Sequence, residues 1–477
     1  MSSRPFRTPK PPEGDAPGAA ERLPISDADH HVVPRRYLTS DVPGTGGWIK
    51  ELSEDFLVEE IPLYEPVGEG EHLYVFVEKA GLSTFELIEI VARHFRAPRK
   101  AVGHAGLKDK HAITRQTLSV HLPGRKLDEF SSLEHPQVRV LGATWHLNKL
   151  RPGHLAGNRF SIRIRGVEPT KVRHAHRVLE TLCQTGAPAR LGEQRFGFLL
   201  NNHRLGRELI VGDFNAAADC LLGPAPDRPA AQPEARAFYA EGRYADARDA
   251  MPLQLRTERI VLDALARGRS AAEAFGSVER RALAYYVSAC QSAIFNAMLD
   301  RRIEGGTLGA LQAGDVAYKH DNGAMFLVDP LTAADEHTSQ RLRALELSPT
   351  GPMWGASMMR ADDEVDVEES EALAAMGLRV EELERCAARS RELIKGSRRP
   401  YRVPVTSPEV EGGVDERGPF IRCAFDLPKG SFATVVLREI IKPPADQVFI
   451  DRRSDDSAKR TLDSQPADNE DPAASDN

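Results

Sequence analysis

Alternating apolar and polar positions mark where the folded part of this chain begins. Residues Phe56 to Tyr64 and His72 to Lys79 partly alternate, as half-buried strands do. Ser83 and Glu86 form a capping-box signature, and apolar residues then recur on one helical face. These residues are Phe85, Ile88, Val91, Ala92 and Phe95. The pattern predicts a sheet that starts early and a helix that ends near Arg96, where the chain enters a basic loop.

The same two periodicities return further along the chain. Ile113 to His121 alternates, and apolar positions alternate with basic ones in Phe160 to Arg165. Helical spacing runs over Thr170 to Gln184, which a glycine closes, and over Ser277 to Arg302, whereas Phe420 to Leu427 is typical of a strand. Strands with intervening helices indicate an α+β fold. The late strand could rejoin the first sheet, which would make the middle of the chain an inserted domain.

Three stretches lack a sustained apolar period. Residues 1–36 are rich in Pro, Ala, Gly and charge, and we expect a disordered lead-in there. The segment after about Arg452 has the same character. The stretch from Leu222 to Ala250 contains the run GPAPDRPAAQPEARAF, which favours a loop or a variable insertion.

Composition favours a protein of two domains outside the membrane. The chain has 477 residues, 41% of them hydrophobic, which suffices for more than one core. Neither a signal peptide nor a run of roughly 20 apolar residues is evident. We therefore expect a cytoplasmic location. The five cysteines are scattered and never form CxxC, so they predict isolated buried thiols rather than disulfides or a zinc site.

Charge is distributed unevenly along the chain. The formal net charge is -7, and the last 27 residues, with four basic and eight acidic residues, supply 4 - 8 = -4 of it. Arg96 to Lys110 holds five basic residues and one acid, Asp109. We interpret this window as a phosphate-facing patch on a protein that binds nucleic acid.

The segment GHAGLKDKHAITRQTLSV, Gly103 to Val120, is the strongest candidate for chemistry. It places a lone carboxylate, Asp109, between Lys108 and Lys110 just before a predicted strand. Neighbouring cations favour an ionised carboxylate, and glycines allow a bulky substrate to approach the backbone closely. A solvated surface turn would have the same tripeptide, so the context of the motif decides between the two.

The context resembles the TruD family of tRNA pseudouridine synthases, whose GxKD loop carries the essential aspartate, matched here by Asp109. Six further segments resemble family blocks and occur in family order across about residues 48 to 442. They are EDFLVEEIP (Glu54 to Pro62), GEGEHLYVFVEKAG (Gly68 to Gly81), GHLAGNRFSIRIR (Gly153 to Arg165), GEQRFG (Gly192 to Gly197), TGPMWG (Thr350 to Gly355) and LPKGSFATVVLREI (Leu427 to Ile440).

The resemblance implies a fold and a reaction. It implies a pseudouridine synthase catalytic domain with a mixed, largely antiparallel sheet over residues 37–187 and 404–450. An α+β TRUD domain would be inserted at 188–403, with an RNA cleft between the two and an acidic disordered tail over 451–477. The reaction would convert uridine to pseudouridine in tRNA, mostly at position 13 in this family, without cofactor, nucleotide or metal. We expect a monomer.

The resemblance also implies roles for individual residues. Lys50 would keep Asp109 ionised and counter anionic charge that develops on uracil. Alternation puts Asn158 and Phe160 on one strand face, where they would bind the edge and the plane of a flipped base. Phe56 and Phe432 match two more positions that line the pocket. We expect RNA contacts from Lys100, Lys108, Lys110, Arg115, Gln194 and Arg195. Whether Asp109 acts as a nucleophile or as a base stays open.

One departure and three alternatives qualify this hypothesis. The family often has NYFG before QRFG, whereas this chain has Ala189-Arg190-Leu191-Gly192, which puts local packing or RNA contact, and with it the usual substrate nucleotide, in question. A non-catalytic RNA-binding protein or RNA chaperone could use the same patch, although phosphate binding alone does not need Asp109. A synthase acting on another RNA is a second alternative. A phospho-aspartyl enzyme is a third, disfavoured because no second acidic motif would hold magnesium.

Overall fold

The computed structural model describes residues 32, 36–224, 232–444 and 450–451. Its strands are β1 (Phe56–Pro62), β2 (His72–Ala80), β3 (Val102–His104), β4 (Ile113–His121), β5 (Val138–His146), β6 (Leu155–Arg165), β7 (Ala187–Pro188), β8 (Val316–Lys319), β9 (Met325–Leu327), β10 (Leu347–Met353), β11 (Ser397–Pro400), β12 (Arg402–Val403), β13 (Thr406–Asp415) and β14 (Gly418–Pro428).

The helices are α1 (Thr84–His94), α2 (Val172–Thr185), α3 (Asn202–Val211), α4 (Phe214–Leu222), α5 (Pro233–Ala240), α6 (Tyr244–Ala250), α7 (Arg256–Ala266), α8 (Ala271–Gly276), α9 (Arg280–Glu304), α10 (Pro330–Ala334), α11 (Glu336–Arg343), α12 (Asp363–Ala375), α13 (Val380–Ser390) and α14 (Ala433–Ile441). None of the helices in the described parts of the chain has the length and hydropathy of a membrane span.

The larger sheet runs in the order β13-β14-β6-β1-β4-β2-β5, with β3 paired to β4. Its β1–β4 pair is parallel and its other pairs are antiparallel. The predicted α+β class with a mixed, largely antiparallel sheet is therefore confirmed. The late strand, β14, pairs with β6 over Phe420 to Pro428, so it does rejoin the sheet that the first strands build.

Helices pack on the two ends of one face of this sheet, and the basic loop between β3 and β4 lies over the middle of that face. α1 packs on β2 and β4 through Leu87 and Val91, whereas α2 and α14 cover β6 and β14. Ser83 caps α1 as predicted, because its Oγ accepts a hydrogen bond from the backbone N–H of Glu86 and its own N–H donates to the Glu86 carboxylate. Strands β1 and β4 form the sheet centre between these helical layers.

The chain between β7 and β12 forms a second body of mainly helices around a four-stranded sheet in the order β11-β10-β8-β9. The incoming strand β7 pairs with the outgoing strand β12, Ala187 opposite Val403 and Pro188 opposite Arg402. The chain therefore leaves the first sheet and returns to it at neighbouring points. The domain boundaries at 188 and 403 stay a prediction.

Of the two predictions for the stretch from Leu222 to Ala250, the loop is wrong where the structure describes it, and the variable insertion stays a prediction. Helices α5 and α6 occupy most of that stretch, with Ala235 and Ala247 in the core. Pro233 stands in the first turn of α5, where its missing N–H leaves no backbone acceptor unsatisfied. The buried Arg236 donates to the carbonyl oxygens of Leu221 and Gly223, which joins α5 to the end of α4. Residues 225–231 lie outside the described part.

The expected lead-in over residues 1–36 lies outside the described residues, apart from Val32 and Arg36. The expected tail over 451–477 also lies outside them, apart from Asp451. That residue forms a parallel bridge with Ile49 and is buried, so the C-terminal boundary of the folded part lies beyond residue 450. Among the cysteines, Cys290, Cys386 and Cys423 are buried as expected, whereas Cys183 and Cys220 are half-buried.

Candidate active site

The loop that carries Asp109 connects β3 to β4 at the sheet centre. Its start is fixed by Gly103, which pairs with Ser119. A Cβ atom at Gly103 would lie 2.2 Å from the carbonyl oxygen of Leu150 and 2.6 Å from the Ser119 Oγ. Since real Cβ atoms do not approach backbone oxygen so closely, this position requires glycine. The close packing holds the base of the loop against the strand that follows it.

Four hydrogen bonds donated by two lysines hold the middle of the loop from below. The backbone N–H of Lys108 donates to Thr84 Oγ1 at 2.9 Å, and its ammonium donates to Glu60 Oε2 at 2.7 Å. Lys79 donates to the carbonyl oxygens of Asp109 at 2.8 Å and Leu82 at 2.6 Å. The loop is therefore tied to β1, β2 and α1 by buried groups, which fixes the backbone beneath the Asp109 side chain.

The Asp109 carboxylate faces outward from this loop. Its Oδ2 accepts from Lys50 Nζ at 2.5 Å, and its Oδ1 accepts from the backbone N–H of His111 at 3.0 Å. Burial acts to raise the pKa of Asp109, but the charge and hydrogen bond of Lys50 and the His111 N–H outweigh it, so the pKa is lowered. The side chain is 36% exposed. Asp109 is thus an ionised carboxylate that a ligand can reach.

Lys50 is held in place by an unusual backbone conformation and by three neighbours. Its φ is 57°, in the left-handed region that only a small fraction of residues other than glycine adopt. Its ammonium lies 4.7 Å from the centre of the Phe56 ring, 2.5 Å from Asp109 Oδ2 and 3.2 Å from Asp451 Oδ2. Burial acts to lower the pKa of Lys50, but Asp451 and Asp109 raise it. Lys50 is therefore a fixed cation beside the exposed carboxylate.

Aromatic side chains form the floor next to this pair. Phe56 and Phe160 meet edge to face at 6.4 Å between ring centres, and both are largely buried. Asn158 lies on the same strand face as Phe160, two residues before it, and pairs in register with Glu60. The Asn158 Oδ1 is buried and has no hydrogen-bond partner among the described residues. An unsatisfied acceptor beside aromatic rings is suited to the N–H of a flat polar ring.

Phe432 is the exposed member of the three predicted pocket phenylalanines. It directly precedes α14, a few residues after Leu427, which pairs with Asn158. The Phe432 side chain is 56% exposed, which is unusual for a residue of its size and hydrophobicity. Its position differs from that of Phe56 and Phe160, whose rings are mostly covered by protein.

The basic window is less positive than its sequence suggests, because α1 supplies acids to it. Lys110 pairs with Glu86 at 3.0 Å, and Arg99 pairs with Glu89. The expectation of an RNA contact from Lys108 conflicts with its position, since its side chain is only 4% exposed and is paired with Glu60. Lys100 is exposed.

Arg115, Gln194 and Arg195 lie away from the centre of the site. Arg115 pairs with Glu59 and Glu78 across neighbouring strands. Arg195 donates to Ser288 Oγ and stacks over the Tyr285 ring, and the Tyr285 hydroxyl donates to the Gln194 carbonyl oxygen. These contacts place Gln194 and Arg195 against α9 of the second body.

The segment that departs from the family pattern packs on α9 as well. Arg190 forms a buried ion pair with Asp300. The backbone N–H of Leu191 donates to Asn296 Oδ1 at 3.0 Å, and Asn296 Nδ2 donates back to the Leu191 carbonyl oxygen at 2.9 Å. The departure therefore leaves a segment whose backbone and charge are satisfied, so the doubt about local packing is removed.

Sequence reasoning missed two residues of the site. Lys79 was assigned to a strand without a role, and a lysine 1% exposed is rare unless it is paired. Its alternation with the buried Val75 and Val77 was the signal that it points inward. Asp451 lies in the predicted tail, and the apolar run Val448-Phe449-Ile450 directly before it is the sequence signal that folded structure continues.

Comparison with known proteins assigns the chain to a family. The model of the family described as tRNA pseudouridine synthase D (TruD) matches residues 33–440. The tRNA pseudouridine synthase D of Geobacter metallireducens is 43% identical over 411 residues, covering 86% of this chain and 98% of that one. The protein of that name from Thermus thermophilus is 36% identical over 415 residues, covering 86% and 94%.

A solved structure agrees with the sequence comparisons. A crystal structure from Methanosarcina mazei, described as a tRNA pseudouridine synthase D, superposes with a TM-score of 0.76 at 27% identity. It covers 88% of this chain and 98% of its own. With the ionised carboxylate, its lysine and the aromatic floor on one sheet, these matches establish that the chain belongs to the tRNA pseudouridine synthase D family.

Proposed function

We infer that this chain is a tRNA pseudouridine synthase, and we propose that Asp109 is its catalytic carboxylate. The observation that carries the assignment of Asp109 is its geometry. It is an ionised, partly exposed carboxylate held 2.5 Å from a fixed cation, Lys50, beside an aromatic floor. A protein that only binds phosphates has no need of such a group, because a carboxylate repels phosphate.

The reaction needs two bonds to change at one sugar carbon. The N1–C1′ bond of uridine breaks, the uracil turns in its own plane, and C5 bonds to C1′ while the C5 hydrogen is lost and N1 gains a proton. Asp109 can attack C1′ as a nucleophile, or it can remove a sugar proton as a base. In either route the uracil carries the electron pair of the broken bond. Lys50 lies where its charge would stabilise that anionic ring.

The remaining residues are proposed to hold the base. A uridine must leave its RNA stack before it can reach Asp109, and aromatic contact replaces the lost stacking. We assign that contact to Phe160, with Phe56 behind it and Phe432 at the mouth. Asn158 Oδ1, buried and unpartnered among the described residues, would accept a hydrogen bond from a uracil N–H. Such an acceptor favours uracil over cytosine, whose N3 has no hydrogen.

The substrate nucleotide is a finer proposal. We propose position 13 of tRNA, which the family resemblance implies. The RNA would lie in the cleft between the two domains and would contact the exposed Phe432, which directly precedes α14. Arg438 of the same helix is paired with Glu193 at the start of the second body, so the helix that follows Phe432 contacts both domains. A monomer and a cytoplasmic location stay predictions.

The test uses tRNA transcripts that carry no modification. The full chain is incubated with them without metal or nucleotide, and pseudouridine is mapped by carbodiimide modification and primer-extension stops. We expect one new stop, at position 13, that Asp109→Asn abolishes. A stop elsewhere would overturn the substrate assignment alone. Binding without conversion in a full set of cellular RNAs would instead support the RNA-binding alternative and refute the role of Asp109.

A further inference from the structure

The last described residues of the chain return to the active site. The backbone N–H of Ile49 donates to the carbonyl oxygen of Ile450 at 2.8 Å, and Ile49 and Asp451 form a parallel bridge. The Ile450 side chain is 1% exposed and belongs to the main core. This buried anchor and the bridge fix the position of Asp451 next to the residue that precedes Lys50.

Asp451 shares Lys50 with Asp109. Its Oδ2 lies 3.2 Å from Lys50 Nζ, and its side chain is 9% exposed, against 36% for Asp109. One ammonium therefore bridges an outer carboxylate, which a substrate can reach, and an inner carboxylate, which is covered by protein. The three groups together carry a charge of -1 when all are ionised.

We propose that Asp451 is a positioning residue that keeps Lys50 protonated and in place when Asp109 loses its charge during the reaction. This inference rests on the proposed function of Asp109. If Asp109 attacks C1′, one of its oxygens gains a bond while the N1–C1′ electron pair moves to uracil, and Asp109 becomes a neutral ester. If it takes a sugar proton, it becomes a neutral acid. In both routes Lys50 loses its outer partner, and Asp451 is the carboxylate that remains.

A buried ammonium without a counter-ion is unstable and tends to lose its proton. If Lys50 did so at this step, its charge would be missing when uracil carries the leaving electron pair. Asp451 prevents this because its Oδ2 lies 3.2 Å from the Lys50 ammonium. Because Lys50 also pairs with Asp451, its ion pair with Asp109 is weaker, and the Asp109 carboxylate can leave that pair more easily to react.

The pH dependence of Lys50 follows from the charged groups around it. Asp109 and Asp451 face its ammonium, Phe56 presents its ring, and His111 and Lys79 contact the two ends of Asp109. The two carboxylates raise the pKa of Lys50 against the lowering effect of burial. Removing the charge of Asp451 should therefore lower that pKa, so that Lys50 deprotonates, and activity declines, at a lower pH.

The experiment measures single-turnover release of tritium from tRNA labelled at C5 of uridine, from about pH 6 to pH 11, so that the range extends past the ordinary lysine pKa. Full-length wild type is compared with Asp451→Asn and Asp451→Glu. Asp366→Asn, in the second body and paired with Arg360, is the control. We expect Asp451→Asn to bind tRNA normally, to react at least about tenfold more slowly, and to lose activity about one pH unit earlier on the alkaline side. The control should match wild type.

Asp451→Glu keeps the charge but moves it by one methylene. Its single-turnover rate should therefore be lower than that of wild type, while the alkaline limb of its pH–rate profile should not shift. This variant also decides the question if Asp451→Asn does not fold, since a shifted limb would contradict the proposal. A normal rate for Asp451→Asn, or an equal loss at every pH together with a lower melting temperature, would overturn it. If wild type is inactive or Asp109→Asn is active, the proposed function fails instead.

Discussion

Two lysine–carboxylate ion pairs, Lys108–Glu60 and Lys50–Asp109, involve adjacent residues of one loop and differ in how exposed they are. Lys108 and Glu60 have side chains that are each 4% exposed, whereas Lys50 is 11% and Asp109 is 36% exposed. The first pair is covered on all sides and fixes the loop to β1. The second pair is open on the carboxylate side and is available to a substrate. Exposure of the acid, rather than the presence of an ion pair, separates the pair that fixes the loop from the pair for which we propose a catalytic role.

Breaking the closed pair should give the largest loss of stability. Glu60→Gln leaves the Lys108 ammonium buried without a counter-charge, so the free energy of unfolding should fall by about 3 to 5 kcal/mol. Urea denaturation measures this. The double variant Glu60→Leu with Lys108→Met removes both charges and should recover most of the loss. If Glu60→Gln is as stable as wild type, the pair does not hold the loop.

Breaking the open pair should instead change rate and pH dependence. Lys50→Met should lower the single-turnover rate about 100-fold, since it removes the cation beside the developing anion. Because Lys50 lowers the pKa of Asp109 against the effect of burial, its removal should raise that pKa. The acid limb of the rate profile should therefore move to higher pH. An unshifted acid limb would show that Lys50 does not control the ionisation of Asp109.

The smallest effect concerns the lysine beneath the loop. Burial lowers the pKa of Lys79 to about 8, from 10.5, against the raising effect of Asp109. Between about pH 8 and pH 10.5, Lys79 therefore holds its proton in the unfolded chain but has lost it in the folded one. Wild type should gain stability relative to Lys79→Met, on the order of 1 kcal/mol, as pH rises from about 8 to 10.5. Urea denaturation at both pH values checks this, and a loss over that range would contradict the account.

Local patterns predicted much of the fold because the interactions they reflect are local. The capping box at Ser83 and the alternation in β1, β2, β4 and β6 depend on residues close in sequence. The stretch from Leu222 to Ala250 was misjudged, because its prolines and alanines also fit helices whose stability comes from packing on α4. Tertiary contacts, which a local sequence pattern does not show, make that region helical.

The site shows the same limit. Asp109 and its pocket residues were identified from a resemblance in motifs, but the roles of Lys108 and Lys110 could not be separated within the tripeptide KDK. Only the fold shows that Lys108 points inward to Glu60 while Lys110 is exposed beside Glu86. Asp451 lies 342 residues from Asp109, because 451 - 109 = 342, in a segment whose composition is that of a tail.

The most direct test of the account is the single-turnover rate of Asp109→Asn with its natural class of substrate, unmodified tRNA labelled at C5 of uridine. The amide keeps the shape of the side chain but can neither attack C1′ nor remove a proton. We predict normal tRNA binding, an unchanged melting temperature within a few degrees, and a rate at least about 1,000-fold below wild type. A variant that releases tritium at a rate near wild type would contradict the central claim that this carboxylate carries the reaction.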